Sequence, residues 1–172
     1  YPDTYFFSYG DTEEVITEQF LKQFQKKMMP VWDAASTLKG TPKARFNFHK
    51  VVTMASIIEK EAQVANERPI IASVYYNRLK KLMPLAADPT VVYGLGRSWK
   101  KIVTYKDLKV DSPYNTYKHA GFPPTPIASS GVAAFRAALA PAKTNYFFFV
   151  ANNDGTHSFT RTYREHLNVQ KK

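Results

Sequence analysis

The sequence predicts an α+β fold: a mostly helical single domain over residues 1–172, with a small antiparallel β-hairpin and a long irregular segment that forms a cleft. Three observations carry this expectation. Apolar residues recur at helical spacing in successive stretches before residue 84. Two short β-rich runs, NYFFFVA and HSFT, flank the turn sequence NNDGT. Between these regions, residues 84–131 are rich in Pro, Gly, Asp, Asn and Tyr and lack strong periodicity, and long irregular segments in compact domains usually carry function. With 44% hydrophobic residues in 172, the chain has enough apolar surface for one core and too much for disorder.

Each element has its own signals. GDTEEVITEQFLKQFQKKMM (10–29) reads as an amphipathic helix capped by Asp11 or Thr12, with acids in its first turn and Lys26 and Lys27 in its last. Val15, Ile16, Phe20, Phe24 and Met28 form its core-facing stripe, and Pro30 stops it. Trp32 to Arg45, with Gly40 and Pro42, reads as a linker or short irregular connection. A second helix is expected from Asn47 to Ala65. A third follows NERP, tolerates Pro69 in its first turn and ends at Met83-Pro84. Within the irregular segment, Asp88 before Pro89-Thr90 is a helix-start signature. GVAAFRAALAP is a short helix ended by Pro141, and RTYREHLNVQKK is a last helix after the hairpin.

The formal charge is +10 with no cysteine. The charge implies an anionic partner or surroundings, although the Lys and Arg residues are spread along the chain rather than clustered. The lack of cysteine removes disulfides, thiolate metal sites and a thiol nucleophile. His49, His119, His157 and His166 show no zinc-binding spacing, and there is no P-loop, GxGxxG or GxSxG. No cofactor or metal is expected. No apolar run is long enough to span a membrane; the chain opens on Tyr1 rather than Met and reads as a fragment or processed form, so any leader or anchor would lie upstream.

SIIEKEAQ (56–63) raises the sharpest chemical question, because it sets two glutamates two positions apart at the end of an apolar run. At about 100° per residue, Met54, Ile57, Ile58 and Ala65 all fall within roughly 60° of Glu61, whereas Glu59 lies about 160° away. Glu61 is thus on the inward stripe and Glu59 off it. Burial raises a carboxyl pKa, and an easily protonated Glu in a cleft is what a general acid requires. Periodicity alone leaves other roles open: Glu61 at the frayed end of the stripe, or paired with Arg68 or Arg78.

Other polar clusters offer contacts for a hydroxylated ligand. Asp88 either caps a helix or faces a site. Tyr93, at a loop edge before Gly94, has a ring suited to a sugar face. Tyr114, Asn115, Thr116 and Tyr117 set amides and hydroxyls between aromatic rings, a mixture that grips N-acetylated sugars and equally makes a packing lid. His157 follows NNDG and is either a turn residue or a contact.

YPDTYFF, ASIIEKEA, ERPIIASVYYNRL, MPLAADPTVVYGLG, SPYNTY, GFPPTPIASSG and HSFT occur in the order that resembles the YceG-like family, over nearly the whole chain. The resemblance implies cleavage of the β-1,4 bond between N-acetylmuramic acid and N-acetylglucosamine in peptidoglycan strands. The muramic acid C6 hydroxyl, rather than water, attacks C1 and leaves a 1,6-anhydro end. The second Glu of the EKE motif, the family's acid, corresponds to Glu61. Tyr93, Tyr114, Asn115, Tyr117, Asp88 and His157 become candidate sugar contacts, and Asn77 and Arg78 candidate partners for Glu61 or for a stem-peptide carboxylate. Three places depart from the pattern: Ala62 where the family has Thr, Ala86 and Ala87 where it has Gln and a small polar residue, and Thr125 where it has Gly. The resemblance further implies a location at the inner (plasma) membrane through an upstream helix, facing the wall, with peptidoglycan synthases (penicillin-binding proteins) as partners and no nucleic acid. Two alternatives use the same surface: a module that grips glycan without cutting it, and a hydrolase of the same bond. A basic, aromatic nucleic-acid binder is a third, without a recognised module behind it.

Overall fold

The computed structural model describes residues 1–37, 39–96 and 103–171. Among these lie seven α-helices and one two-stranded antiparallel sheet, which is the α+β architecture expected. Helix α3 (Phe48–Glu61) is the axis of the core. Asn47 caps it by accepting from the Lys50 amide, and Val51 and Thr53 through Ile58 are buried. Its two inward hydroxyls are satisfied locally. Thr53 Oγ1 donates to the His49 carbonyl at 2.9 Å, and Ser56 Oγ donates to the Thr53 carbonyl while accepting from the Ile127 amide at 3.0 Å. Helix α6 (Val132–Leu139) packs along α3, supplying Ala134, Phe135 and Ala138, all fully buried. Helix α4 (Arg68–Lys80) closes the core with Ile71, Ala72, Val74 and Tyr75.

Helix α1 runs Glu13–Ala34 and so passes through Pro30, which does not stop it. A proline there costs one backbone hydrogen bond, and that carbonyl belongs to solvent-exposed Lys26. Continuation brings Val31 and Trp32 onto the core, with the Trp32 ring 5.1 Å from Phe48 in an edge contact. The connection to α3 is correspondingly shorter than expected and contains a single-turn helix, α2 (Pro42–Arg45). The core-facing stripe also holds only at its C-terminal end. Met28 is buried, but Val15 and Phe20 are 40% and 41% exposed. A helix of 22 residues is about 33 Å long and outruns the core, and its N-terminal half meets the N-terminal segment, where Tyr5 and Phe7 contact the Phe20 ring.

Helix α3 ends at Glu61, not at Ala65; Ala62 is the C-cap, and a 3₁₀ turn over Ala65–Glu67 leads into α4. Among the described residues the irregular segment contains one further helix, α5 (Asp88–Gly94), and a 3₁₀ turn over Asp107–Lys109. Strands β1 (Phe148–Ala151) and β2 (His157–Thr160) pair as the expected antiparallel hairpin, with Phe149 opposite Phe159 and Ala151 opposite His157. Helix α7 (Tyr163–Gln170) packs on both strands behind a capping box between Thr162 and Glu165.

Candidate active site

One cleft of about 450 Å³ brings the C-terminus of α3 opposite the hairpin and α7. One wall carries Glu61, Arg78, Ala86, Asp88 and Tyr117; the other carries Phe148–Ala151, His157, Tyr163, His166 and Gln170.

The two glutamates of the EKE motif have separate tasks. Glu59 Oε2 accepts from the Gly131 amide at 3.1 Å, at the N-terminal end of α6, where the helix dipole favours a negative charge. Glu61 is the last residue of α3 and lines the cleft, beside the carbonyl end of its own helix, where a negative charge is disfavoured. Its Oε1 accepts from the Tyr75 hydroxyl at 2.7 Å. Burial pushes its pKa up to about 7; the Tyr75 hydrogen bond opposes this, Asp88's charge adds to it and Arg78 opposes it. Glu61 is therefore an acid that can both hold and release a proton near neutrality.

The rest of the first wall is built by stitching DPT to NTY. The Ala86 amide donates to the Thr116 carbonyl and the Ala87 amide to Thr116 Oγ1, each at 3.0 Å. Thr90 Oγ1 donates to the Ala87 carbonyl at 2.7 Å and lies 2.8 Å from Thr116 Oγ1, so the Thr116 hydroxyl donates to Thr90. Asp88 does not cap α5. Ala87 holds the N-cap position, and Asp88 Oδ1 instead accepts from the Tyr117 hydroxyl at 2.5 Å. Burial first, then that bond to a carboxylate, raises the Tyr117 phenol pKa.

Asn115, expected as a sugar contact, is fully buried. Its Nδ2 donates to the Leu108 and Val110 carbonyls at 2.9 and 2.8 Å, and its Oδ1 accepts from the Tyr117 amide. It holds the loop that presents Tyr117 and is not among the cleft-lining residues. Asn115→Ala should therefore lower stability by about 2 kcal/mol, because three part-buried backbone groups lose their partners; a lower urea midpoint with an unchanged slope is the expected reading. Tyr93 and Tyr114 also lie outside the cleft lining. Their rings are 4.7 Å apart, and the Tyr114 hydroxyl meets Thr125 Oγ1 at 2.7 Å.

On α4, Asn77 and Arg78 both turn to the approach to β1. Asn77 Nδ2 donates to the Thr144 and Tyr146 carbonyls at 2.9 and 3.0 Å, which takes it out of the cleft lining. Arg78 Nε donates to the Phe147 carbonyl at 2.7 Å and Nη1 to the Leu85 carbonyl, while the guanidinium stacks over Phe148 and still lines the cleft. On β2, His157 lies in the far wall. Glu67 holds it twice, accepting from its amide at 3.0 Å and meeting its Nδ1 at 2.7 Å. An ionised carboxylate only accepts, so Nδ1 carries the proton and Nε2 is the remaining nitrogen.

Of the residues singled out in the sequence, Glu61, Arg78, Asp88, Tyr117 and His157 are brought together in the lining of one cleft. Sequence reasoning missed Tyr75, Glu67 and the α7 residues Tyr163 and His166. Tyr75 had a signal, since it shares a helix face with Arg78 at i, i+3. Glu67 had none, because its partner is 90 positions away.

A family model described as the YceG-like family matches residues 1–172. Over 174 residues the chain is 46% identical to a Bacillus subtilis (strain 168) protein named endolytic murein transglycosylase, covering 100% of this chain and 46% of that protein. It is 30% identical over 182 residues to a Streptococcus pneumoniae (D39) protein of the same name, covering 98% of this chain and 32% of that one. The crystal structure of a yceG-like protein from Listeria monocytogenes superposes with a TM-score of 0.79 at 43% identity, over 98% of this chain and 53% of that one. The chain spans less than half the length of these curated relatives.

Proposed function

This chain belongs to the YceG-like family, and we propose that it cuts peptidoglycan glycan strands internally as a lytic transglycosylase, residues 1–172 forming the catalytic domain. The supporting observation is the Glu61 carboxyl, raised to about 7 at the wall of a cleft and hydrogen-bonded by Tyr75. Protonated Glu61 donates to the oxygen of the β-1,4 bond, and the C1–O bond breaks as oxocarbenium-like charge grows at C1. The C6 hydroxyl of the same muramic acid then supplies the electron pair for a new C1–O6 bond, and its proton returns to the Glu61 carboxylate. One carboxyl thereby serves both steps, and no water is consumed.

Within this proposal Asp88 and Tyr117 on one wall, and His157 on the other, contact the sugars, with Arg78 available to an anionic group. Tyr93, which is 45% exposed, and Tyr114 extend the glycan surface beyond the cleft. The names of the relatives support murein as substrate and a site of action at the cell wall. Among the described residues no helix is long and apolar enough to cross a membrane; anchorage at the plasma membrane through a segment outside these residues, beside peptidoglycan synthases, is the finer part of the proposal.

Mass spectrometry of uncrosslinked glycan strands after incubation with this chain tests the reading. The expected products end in anhydro-muramic acid, one water lighter than hydrolytic ends. Hydrated ends would make the protein a hydrolase of the same bond. Intact strands that remain bound would make it a binding module.

A further inference from the structure

Glu61 and Tyr75 come from different helices and meet through one hydrogen bond, Tyr75 hydroxyl to Oε1 at 2.7 Å. The phenol is not free to turn elsewhere. Its ring is 1% exposed, inside the core, and lies edge-on to Phe149 with centroids 5.8 Å apart. A neutral carboxyl group carries its proton on one oxygen and keeps acceptor capacity on the other. Because Tyr75 donates to Oε1, that oxygen stays an acceptor, and among the described residues no other side chain hydrogen-bonds Glu61.

We propose that Tyr75 is the positioning residue of Glu61: by holding Oε1 it assigns the exchangeable proton to Oε2, the oxygen left to the cleft. Only the use of that proton on a glycosidic bond rests on the function proposed above; its position rests on the geometry. Tyr75 does not drain the proton from Glu61, since burial and the neighbouring Glu61 push its own pKa well above the ordinary phenol value. After transfer, the same donated bond stabilises the carboxylate that waits for the C6 proton. The other ionisable groups around the carboxyl are Arg78 on α4, Asp88 on α5 with Tyr117 bonded to it, and His157 with Glu67 and His166 across the cleft.

The test is a carboxyl titration followed by NMR of the whole chain labelled with ¹³C-glutamate, with Glu61→Gln identifying the Glu61 signal. Tyr75→Phe removes a donor that favours the charged form, so the Glu61 midpoint should rise by about one pH unit. Placing 3-fluorotyrosine at position 75 makes the phenol a stronger donor and should lower the midpoint. A purely space-filling role for Tyr75 does not produce opposite shifts. An unmoved or lowered midpoint in Tyr75→Phe, or a raised one with 3-fluorotyrosine, overturns the proposal. If the Phe variant does not fold, the fluorinated protein, which keeps the hydroxyl, decides alone. In kinetics, the alkaline limb of kcat/KM should move with the midpoint while KM stays constant. Titration shifts without anhydro products would leave Tyr75 as the holder of Oε1 and sink the transglycosylase reading instead.

Discussion

Glu61→Gln abolishes strand cleavage and leaves glycan binding in place: that is the expected result with the largest effect. A positioned general acid contributes about 10²–10⁴ in rate, and here the same group would also take the C6 proton. The loss should therefore be at least about a thousandfold in kcat. Gln keeps the shape of the side chain and an oxygen that still accepts from Tyr75, so the cleft itself survives the change. Glu59→Gln is the matched control two positions away. Its partner is the Gly131 amide on α6 rather than a cleft-facing group, so cleavage should persist while stability falls by about 1 kcal/mol through a weakened helix-end interaction. Product mass spectrometry and urea unfolding on both variants separate the two glutamates. Cleavage by Glu61→Gln at the parent rate would remove Glu61 from the chemistry.

The same substitution should stabilise the fold above neutral pH. Glu61 has a folded-state pKa of about 7 against 4.5 for an ordinary, solvated glutamate. Below pH 4.5 it is protonated in both states and costs nothing. Between the two values the folded state holds a proton that the unfolded state has lost, so stability declines as pH rises. Above about 7 the full penalty is present, on the order of 3 kcal/mol. Glu61→Gln removes that slope, so its advantage over the parent protein should be absent near pH 4 and largest near pH 8, read as the difference in urea midpoints. Cleavage by the parent protein should fall over the same upper range, as the protonated acid titrates away. A parallel pH dependence in the two proteins would place the titrating group elsewhere.

The inward side of Glu61 was legible from Met54, Ile57 and Ile58, which are buried in α3; Ala65, also counted on that stripe, lies beyond the helix end and is exposed, so it carried no information. Hairpin pairing was legible from two short β-rich runs flanking the NNDGT turn, whereas its register came only from the structure. The extent of α1 was not legible. Pro30 and the stripe from Val15 to Phe20 obey local rules, but tertiary packing of Val31 and Trp32 and the finite width of the core decide the outcome. Among the site residues, type alone did not distinguish Tyr117, which lines the cleft, from Asn115, which is spent on backbone carbonyls two residues earlier. A polar side chain in a loop serves the loop first, and only the folded path shows which groups are left over. Glu67 and Tyr75 act through partners on other elements, so their roles appear only once the helices and hairpin are assembled.

Thr116 ties together two stretches of chain that lie 26 to 30 positions apart, through its carbonyl and its hydroxyl at once. These bonds are expected to open together, since moving Thr116 as a whole unpairs the Ala86 and Ala87 amides and the Thr90 hydroxyl at once. In exchange with heavy water, the amide protons of Ala86 and Ala87 should then report a single opening free energy. Asp88 and Tyr117, each next in sequence to a residue of this tie, should then be held in place or released as a pair.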